Sequence, residues 1–377
     1  MDFSLNDDQK QLRDSIAKFV KGSYDFEKRR HIVKKDSGLS AEVWAQFAEL
    51  GWLMLPFAEE DGGIGGNITD TMVLLEEFGK GLIVEPYIPT VVLGGGLIKR
   101  GNAEQKAKYL EALVSGQLQA AFAVQEYEQS FDLANTALKA EANGTGFVLN
   151  GKKSMVQNGD RADVIVVLAR TSGSVGDKNG LSLFIVDADT AGLSRTAHRV
   201  VDGSQAAEVR FENVQVSAAA LLGEKDKGAA LADTVIVEGI LALGAEATGI
   251  MATLLYTTVE YTKTRKQFGV AIGNFQALQH RMSDMYMAYE QVRSLLLCAT
   301  LKVHEDHDDA EQAVHALKSL VGRAGRLIGQ EAVQLHGGMG MTDEMHIGHY
   351  FKRITAIDAL FGNFDQHTRA FGQAYAA

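Results

Sequence analysis

The chain has 377 residues, of which 46% are hydrophobic and 23% are charged, and its net charge is −11. This composition is that of a folded globular protein, and the length predicts two or three domains. The negative charge excludes nucleic acid as a partner, because a surface that neutralises phosphates must be basic. Cys298 is the only cysteine, which excludes an intramolecular disulfide and a CxxC metal or redox motif.

The sequence predicts neither a membrane span nor a targeting segment. Apolar runs such as 164–168 are far shorter than the roughly 20 residues that cross a bilayer, and the N-terminus lacks the basic-then-apolar order of a signal peptide. We therefore expect a cytoplasmic protein. Two histidine pairs three residues apart, His304 with His307 and His346 with His349, have no further ligands at a suitable spacing, so no metal site is predicted.

Helical patterns dominate residues 1–118, which predicts an N-terminal helical domain. We expect Asn6 or Ser4 to cap a first helix whose apolar residues recur at spacings of three and four. A second helix is expected to end at Gly51, since glycine commonly adopts the left-handed conformation that stops a helix. The other helical patterns in this domain are 71–78 and 104–114.

From residue 119 the pattern changes to one of short strands. The apolar segments are rich in β-branched and aromatic residues and are separated by Gly, Asn and Asp. They predict an antiparallel β domain, a barrel or a sandwich, over residues 119–225. The pair Asn150–Gly151 predicts a tight turn between two strands. The predicted strands are 120–124, 147–149, 164–169, 181–186 and 208–211.

Residues 226–377 contain no proline and few other helix breakers. Four stretches in this region are each long enough for a helix of 25 or more residues, which predicts a C-terminal four-helix bundle. The predicted fold is therefore mainly α, with a β middle domain between two helical domains. The predicted helices are 228–268, 274–303, 309–335 and 344–375.

Two segments resemble the acyl-CoA dehydrogenase family. The first is Arg-Lys-Gln-Phe-Gly at 265–269, followed by Phe275 and Gln276, and the second is Gln-Leu-His-Gly-Gly-Met-Gly at 334–340. The resemblance continues over nearly the whole chain. It implies a tetrameric flavoprotein that uses FAD to desaturate an acyl-CoA thioester, in fatty acid or steroid side-chain degradation, and that passes its electrons to an electron-transfer flavoprotein.

The resemblance assigns FAD contacts to both motifs. Arg265 offers a delocalised cation to the pyrophosphate, and Phe268 offers an apolar face to the adenine side. Gly337 and Gly338 let backbone amides approach the dinucleotide closely. In the family these residues reach the cofactor of a neighbouring subunit, so assembly is needed for activity. The other predicted cofactor contacts are Gln267, Gln276, Gln334, Met155 and Gln157.

The position at which the family usually carries its catalytic glutamate holds Phe361, which cannot accept a proton. Some members place the glutamate on the long helix before the Arg265 motif, and there this chain has Gly239. Two nearby carboxylates are weak candidates for the base. Glu238 is adjacent but rotated by about 100°, and Glu246 lies on nearly the same face but roughly 10 Å along the axis.

The β domain also departs from the family pattern. The usual Thr-Glu-Pro followed by Gly-Ser-Asp becomes Gln-Glu-Tyr-Glu-Gln-Ser-Phe-Asp at 125–132, and the usual Trp-Ile-Thr beside the flavin becomes Met-Val-Gln at 155–157. A methionine still offers an apolar surface, and Gln157 can donate a hydrogen bond toward the ring. Flavin contact is thus expected to be retained in a weaker form.

These departures together resemble the small subunits of two-component acyl-CoA dehydrogenases, such as pimeloyl-CoA dehydrogenase. In that arrangement a larger paralogous subunit supplies the base, and this chain contributes its Arg265 and Gly337 motifs to a hetero-tetramer. Two alternatives stay open. The chain could be a self-sufficient homotetramer that uses Glu238 or Glu246 as base, or a non-catalytic scaffold that stabilises an assembly.

Overall fold

A computed structural model describes residues 4–35, 38–126 and 131–376 of the chain. Helices occupy both ends of the sequence and strands occupy the middle, which confirms the predicted fold class. The helices are α1 (Asp7–Ser23), α2 (Phe26–Lys34), α3 (Ala41–Glu49), α4 (Ile68–Gly81), α5 (Gly96–Ile98), α6 (Ala103–Val114), α7 (Gly228–Thr264), α8 (Gln276–His304), α9 (Ala310–His336), α10 (His346–Ala359) and α11 (Phe364–Ala376). A π-helix, Ile88–Gly95, leads directly into α5.

The caps predicted for the first helices are confirmed. The Gln9 amide donates to the Asn6 side chain at 2.8 Å, and the Asn6 amide donates to the Gln9 side chain at 3.1 Å. This reciprocal capping box satisfies two amides at the start of α1. Gly51 follows α3 with φ at 74°, the left-handed conformation that ends a helix. Neither α2 nor the π-helix was predicted from the sequence.

One mixed sheet forms the middle of the chain. Its order is β6-β7-β3-β2-β4-β5-β8, with β1 added beside β4. Most neighbours are antiparallel, but β1 and β2 run parallel to β4. The strands are β1 (Ala120–Ala123), β2 (Lys139–Ala142), β3 (Gly146–Gln157), β4 (Val164–Arg170), β5 (Leu181–Asp187), β6 (Leu193–Arg199), β7 (Gln205–Ser217) and β8 (Leu221–Leu222).

The turn predicted at Asn150–Gly151 was wrong, because β3 runs straight through both residues. The pairing of β3 with β7 shifts register at this point. The Asn150 side chain accepts a hydrogen bond from the Asn213 amide at 2.8 Å. A Cβ on Gly151 would lie 2.9 Å from Leu138 Cα. The glycine therefore permits a close approach of two backbones within a bulged strand, rather than a reversal of the chain.

The single helix predicted over 344–375 was also wrong. α10 ends at Ala359 and α11 begins at Phe364. Between them, Phe361 and Gly362 have φ angles of 56° and 93°, and a residue in the left-handed region cannot continue a right-handed helix. The C-terminal region therefore contains five helices among the residues described, rather than four.

The chain packs as two compact units. The first, here called the helical unit, contains the N-terminal residues through His31, Ile68–Ile83 and the residues from Ile240 onward. The second, here called the sheet unit, contains Ile32–Asn67 and Val84–Gly239. Helix α7 is long and apolar enough to cross a membrane by length and composition, yet 89% of its most apolar stretch is buried inside the protein. It has the burial of a core helix.

Helices α4 and α7 cross in backbone contact within the helical unit. A Cβ added to Gly249 would lie 1.9 Å from the carbonyl oxygen of Glu76, and a Cβ added to Gly79 would lie 2.0 Å from that of Glu246. No side chain fits in either place, because both distances are far inside van der Waals contact. The two glycines therefore set how closely the helices pack.

Candidate functional site

Phe361, at the usual base position of the family, lies in the turn between α10 and α11. The residue is 7% exposed, and its carbonyl accepts a hydrogen bond from His367 Nε2 at 2.9 Å. A buried hydrocarbon ring cannot take a proton from a substrate. The His367 imidazole does not replace the missing carboxylate, because Nε2 donates to the main chain and Nδ1 lies 2.9 Å from Nδ1 of His315, so both ring nitrogens are engaged.

Lys318 of α9 stabilises the same turn by hydrogen bonds. Its side chain is buried, and burial lowers its pKa to about 8. The Nζ atom donates to three carbonyl oxygens, two in the last turn of α10 and one in the turn that follows, which are those of Ile357 at 3.0 Å, Asp358 at 2.8 Å and Gly362 at 2.8 Å. One ammonium group thus satisfies carbonyls that the interrupted helix leaves without partners. The residue predicted to stand at the base position therefore lies in a turn that Lys318 stabilises.

Glu238 and Gly239 lie on the part of α7 that belongs to the sheet unit. Gly239 is buried and offers no side chain. The Glu238 carboxylate accepts from Arg100, with Nη2 to Oε1 at 2.6 Å and Nη1 to Oε2 at 3.4 Å. Both oxygens of Glu238 therefore face a guanidinium in the sheet unit. This ion pair leaves Glu238 poorly placed to take a proton from a substrate.

Glu246 is engaged even more completely, within the helical unit. Arg353 of α10 donates to it through Nε to Oε1 at 2.6 Å and through Nη2 to Oε2 at 2.6 Å. The two side chains are only 6% and 17% exposed. Parallel bonds of this kind are the strong form of an arginine–carboxylate contact. The two weak candidates for a base thus both serve ion pairs that bind elements of the fold together.

The Arg265 motif forms a hairpin between α7 and α8. Its short strands, β9 (Lys266–Gln267) and β10 (Val270–Ala271), pair antiparallel. Phe268 and Gly269 form the tip with φ angles of 53° and 83°, as a two-residue turn requires. Phe268 is 92% exposed, and Arg265 is exposed with no ion-pair partner among the described residues. An open cation beside an open ring fits the pyrophosphate and adenine of FAD.

The Gly337 motif ends α9. Gly337 has φ at 62° and ψ at −142°, a region of backbone conformation that is almost restricted to glycine. A Cβ added to Gly337 or Gly338 would meet nothing within 4 Å, so this backbone faces open space. Gln334 lies exposed one turn earlier. Bare, accessible main chain at this point suits the close approach of a dinucleotide.

The two motifs lie together at one end of the helical unit. The Tyr261 ring, one turn before Arg265, stacks on the His336 ring with centroids 4.3 Å apart and an interplanar angle of 27°. The Phe268 and Phe275 rings meet edge to face at 6.2 Å, which places Gln276 beside the hairpin. The fold therefore gathers the exposed residues predicted for FAD in this unit, which are Arg265, Gln267, Phe268, Gln276, Gln334, Gly337 and Gly338.

Met155 and Gln157 lie near the end of β3 in the sheet unit. The strand shifts register against β7 between Lys153 and Val156. Met155 has φ at 50°, a left-handed conformation that is a strained one for methionine. Both side chains are half-buried, so each keeps a surface that a flavin ring can contact. Sequence inspection had no signal for this local bend.

Only part of the altered 125–132 segment can be placed, because residues 127–130 lie outside the described residues. Glu126 is described, and its carboxylate accepts from Lys153 Nζ at 2.7 Å and from the amides of Ala137 and Leu138 at 3.0 and 3.1 Å. Lys153 is fully buried, and burial lowers its pKa to about 8. Glu126 therefore anchors the loop after β1 to β3.

Sequence reasoning missed the partners of these acids. Arg100 is 138 residues from Glu238, and Arg353 is 107 residues from Glu246. A usable signal did exist for one pair, because a carboxylate in the apolar stretch of α7 requires a cation. Arg353 is a cation on a helix whose neighbours Ile354 and Ile357 are buried.

Buried histidines make the helical unit sensitive to acid. Burial lowers the pKa of His367 to about 4, whereas an unfolded chain gives histidine its ordinary value of about 6.5. Between those two values the unfolded chain binds more protons, so the free energy of unfolding falls as the pH falls through this window. Burial lowers the pKa of four further histidines in the same direction, which are His315, His336, His346 and His349.

The variant His367→Gln should lose less free energy of unfolding than the wild type as the pH falls. A glutamine amide can still donate to the Phe361 carbonyl but does not titrate. We expect the variant to recover on the order of 2 kcal/mol between about pH 7 and about pH 4.5 relative to the wild type. Urea unfolding at several pH values measures the difference. The exposed His280, changed to glutamine in the same way, is the control, and an unaltered pH slope in His367→Gln contradicts the assignment.

Within the described residues, no group of three or more His, Cys, Asp or Glu side chains could hold a metal ion. His349 instead accepts from Arg29 Nη1 at 3.3 Å through Nδ1, because a guanidinium can only donate. Its Nε2 therefore carries the proton and donates to the Asp343 carbonyl at 3.1 Å. These contacts join α2 to α10.

Comparison with known proteins covers almost the entire chain. Residues 6–117, 121–214 and 226–375 match the models of the N-terminal, middle and C-terminal domains of acyl-CoA dehydrogenase. A probable acyl-CoA dehydrogenase of Bacillus subtilis, YngJ, is 33% identical over 91% of each chain. An L-prolyl-[peptidyl-carrier protein] dehydrogenase of a Serratia strain is 31% identical over 92% of this chain and 90% of its own length.

Solved structures agree with this assignment. The structure described as the FAD complex of PigA superposes with a TM-score of 0.93 at 29% identity, covering 100% of this chain and 99% of that one. The ChsE4–ChsE5 complex from Mycobacterium tuberculosis gives a TM-score of 0.91 at 26% identity, with the same coverage. With its three domains matched in order over almost the whole chain, the chain belongs to the acyl-CoA dehydrogenase family.

Proposed function

We propose that this chain is one subunit of a two-component, FAD-dependent acyl-CoA dehydrogenase whose larger paralogous subunit supplies the catalytic base. One observation carries the proposal. The residues that the family uses in trans are exposed and available, whereas the positions for the base hold Phe361 and Gly239, and both neighbouring carboxylates are tied in ion pairs. A chain that keeps the residues acting in trans but lacks a base is suited to completing the active site of another subunit.

In this assembly the residues of this chain bind and orient the cofactor of the partner subunit. Arg265 presents its guanidinium to the pyrophosphate of the partner's cofactor, and the amides at Gly337 and Gly338 approach the dinucleotide at the end of α9. FAD, when bound, takes up the hydride that leaves the β-carbon of the acyl thioester. The α-proton passes to a carboxylate of the larger subunit, since the described residues of this chain leave none at either base position.

The relatives support an assembly of two different subunits. Solved relatives include the ChsE4–ChsE5 complex and a Tcur3481–Tcur3483 steroid acyl-CoA dehydrogenase, which has a TM-score of 0.89 at 26% identity. By likeness to the steroid enzyme, the proposed substrate is a bulky acyl-CoA, such as one with a steroid side chain. The resemblance of the sequence to pimeloyl-CoA dehydrogenase makes a dicarboxylic acyl-CoA the other proposed class. The proposal includes a cytoplasmic hetero-tetramer with an electron-transfer flavoprotein as acceptor.

Purification of the chain alone and with its co-expressed paralogue tests the dependence on a partner. We expect stable flavin binding and bleaching by acyl-CoA only in the mixed assembly. Rapid bleaching in the homo-oligomer would favour the self-sufficient enzyme. Flavin bound and reduced by the partner alone, with no change on adding this chain, would favour the scaffold.

Arg265→Ala should weaken FAD binding by the mixed assembly about 10- to 100-fold, because charge-assisted hydrogen bonds to phosphate are lost. Flavin fluorescence on titration with FAD measures the dissociation constant. Lys266→Ala is the matched control, since it removes an exposed positive charge from the next residue of the same hairpin. Equal affinities for the Arg265→Ala assembly and the wild type would exclude the assigned role.

A further inference from the structure

Two residues at the end of β3, one inside the strand and one just after it, adopt the left-handed conformation although neither is glycine. Met155 has φ at 50° and Asn158 has φ at 58°. Such a conformation costs roughly 1–2 kcal/mol for an ordinary side chain and persists only where the surroundings enforce it. Asparagine tolerates it better than methionine does. Met155 and Gln157 lie in this bend. A residue that stabilises the bend therefore determines the position of two side chains that are predicted to contact a flavin.

The Asn158 side chain ties this bend to two neighbouring elements. It is 4% exposed, and its Nδ2 donates to Thr90 Oγ1 at 3.2 Å and to the Ala120 carbonyl at 3.4 Å. Thr90 is wholly buried, and its hydroxyl donates to the same carbonyl at 3.2 Å. The three residues therefore form a closed hydrogen-bonded triangle, here called the Thr90 triangle, that joins the end of β3 to the start of β1.

Thr90, the third residue of the Thr90 triangle, lies in a tightly packed element. Thr90 belongs to the π-helix, Ile88–Gly95, all of whose residues are buried. A Cβ on Gly94 would lie 2.5 Å from Ala120 Cβ, and a Cβ on Gly95 would lie 2.8 Å from the Phe57 ring. The π-helix thus packs against β1 with no space to shift. π-helical turns are rare, and they occur often at functional sites.

We propose that Asn158 is a positioning residue which, through Thr90, holds Met155 and Gln157 of this chain toward a flavin bound on its own middle domain. This inference rests on the proposed function and extends it. Under it, the chain has a flavin-facing surface on its own middle domain, in addition to the residues that it contributes in trans to the flavin site of the larger subunit. Asn158 does not touch the flavin ring. It fixes the strand that carries the contacts, and the π-helix provides the fixed support.

Matched substitutions at Thr90 test the role. Thr90→Val keeps the shape and removes the hydroxyl, whereas Thr90→Ser keeps the hydroxyl. In the mixed assembly reconstituted with FAD, we expect Thr90→Val to weaken flavin binding at the site on this chain about fivefold, and to shift the visible absorption spectrum of the bound flavin. Thr90→Ser should retain the wild-type affinity and spectrum. A merely structural role would lower the melting temperature without moving the spectrum.

Asn158→Gly provides an independent arm in case Thr90→Val fails to fold. Glycine accepts the left-handed backbone without strain but cannot donate to Thr90. We expect the same spectral shift as for Thr90→Val, and no further shift when the two changes are combined. An unaltered spectrum in Asn158→Gly would overturn the proposal.

The flavin content separates this inference from the proposed function. If the mixed assembly binds FAD only on the larger subunit, and the Thr90 variants change nothing, then the inference is wrong while the trans role of Arg265 stands. If Arg265→Ala has no effect but the Thr90 variants alter the flavin spectrum, then the proposed trans role fails while the positioning role of Asn158 stands.

Discussion

Glu246→Gln should lower the free energy of unfolding by about 3–5 kcal/mol. The substitution leaves the Arg353 guanidinium, whose side chain is 17% exposed, without its counter-charge and with one weaker hydrogen-bond acceptor. Breaking one side of a buried ion pair is costly because the remaining charge is neither solvated nor neutralised. Urea unfolding followed by circular dichroism at neutral pH measures the change.

A surface pair on the same helix provides the control. Glu260 bonds to Lys263 at 2.6 Å, but both side chains are more than 60% exposed, so Glu260→Gln should cost less than about 0.5 kcal/mol. The experiment also tests the form of the self-sufficient enzyme in which Glu246 is the base. If Glu246→Gln remains as stable as the wild type and the homo-oligomer loses flavin reduction, then Glu246 acts as a base and the structural assignment is wrong.

Gly249→Ala should destabilise the protein by about 3 kcal/mol or more, or prevent it from folding. The new methyl group would lie 1.9 Å from the Glu76 carbonyl oxygen, and neither backbone can yield without separating α4 from α7. Overpacking of this kind costs several kcal/mol when the obstacle is main chain rather than a flexible side chain. Thermal and urea denaturation measure the loss.

Gly372→Ala is the matched control and should change stability in the opposite direction. A Cβ at Gly372 of α11 would meet nothing within 4 Å, and alanine in an open helical position stabilises by roughly 0.5–1 kcal/mol relative to glycine. A small gain at Gly249, similar to that at Gly372, would mean that α4 and α7 do not cross in backbone contact.

Local signals in the sequence predicted the elements that depend on local physics. The capping box at Asn6 and the helix stop at Gly51 each require only residues within one turn, and both are present. The apolar periodicity gave the three-part order of helices, strands and helices for the same reason. The Arg265 and Gly337 motifs were also recognisable because each is a continuous segment.

Features that depend on distant partners could not be predicted in this way. The break at Phe361 is stabilised by Lys318 from another helix, and the bulge at Gly151 exists because Leu138 passes close by. A glycine in a strand and a glycine in a turn look alike until the neighbouring backbone is known. Likewise, a glutamate in an apolar helix could be a base or half of an ion pair until Arg353 is placed beside it.

The exposed tip of the Arg265 hairpin has a consequence for how this sequence can change over time. Phe268 is 92% exposed, and its ring meets Phe275 at 6.2 Å, so the chain's own folding places little constraint on it. Under the proposed assembly, a change at this residue is silent in the isolated chain and is selected only through the subunit that covers it. The hairpin and that surface are then expected to evolve as a pair.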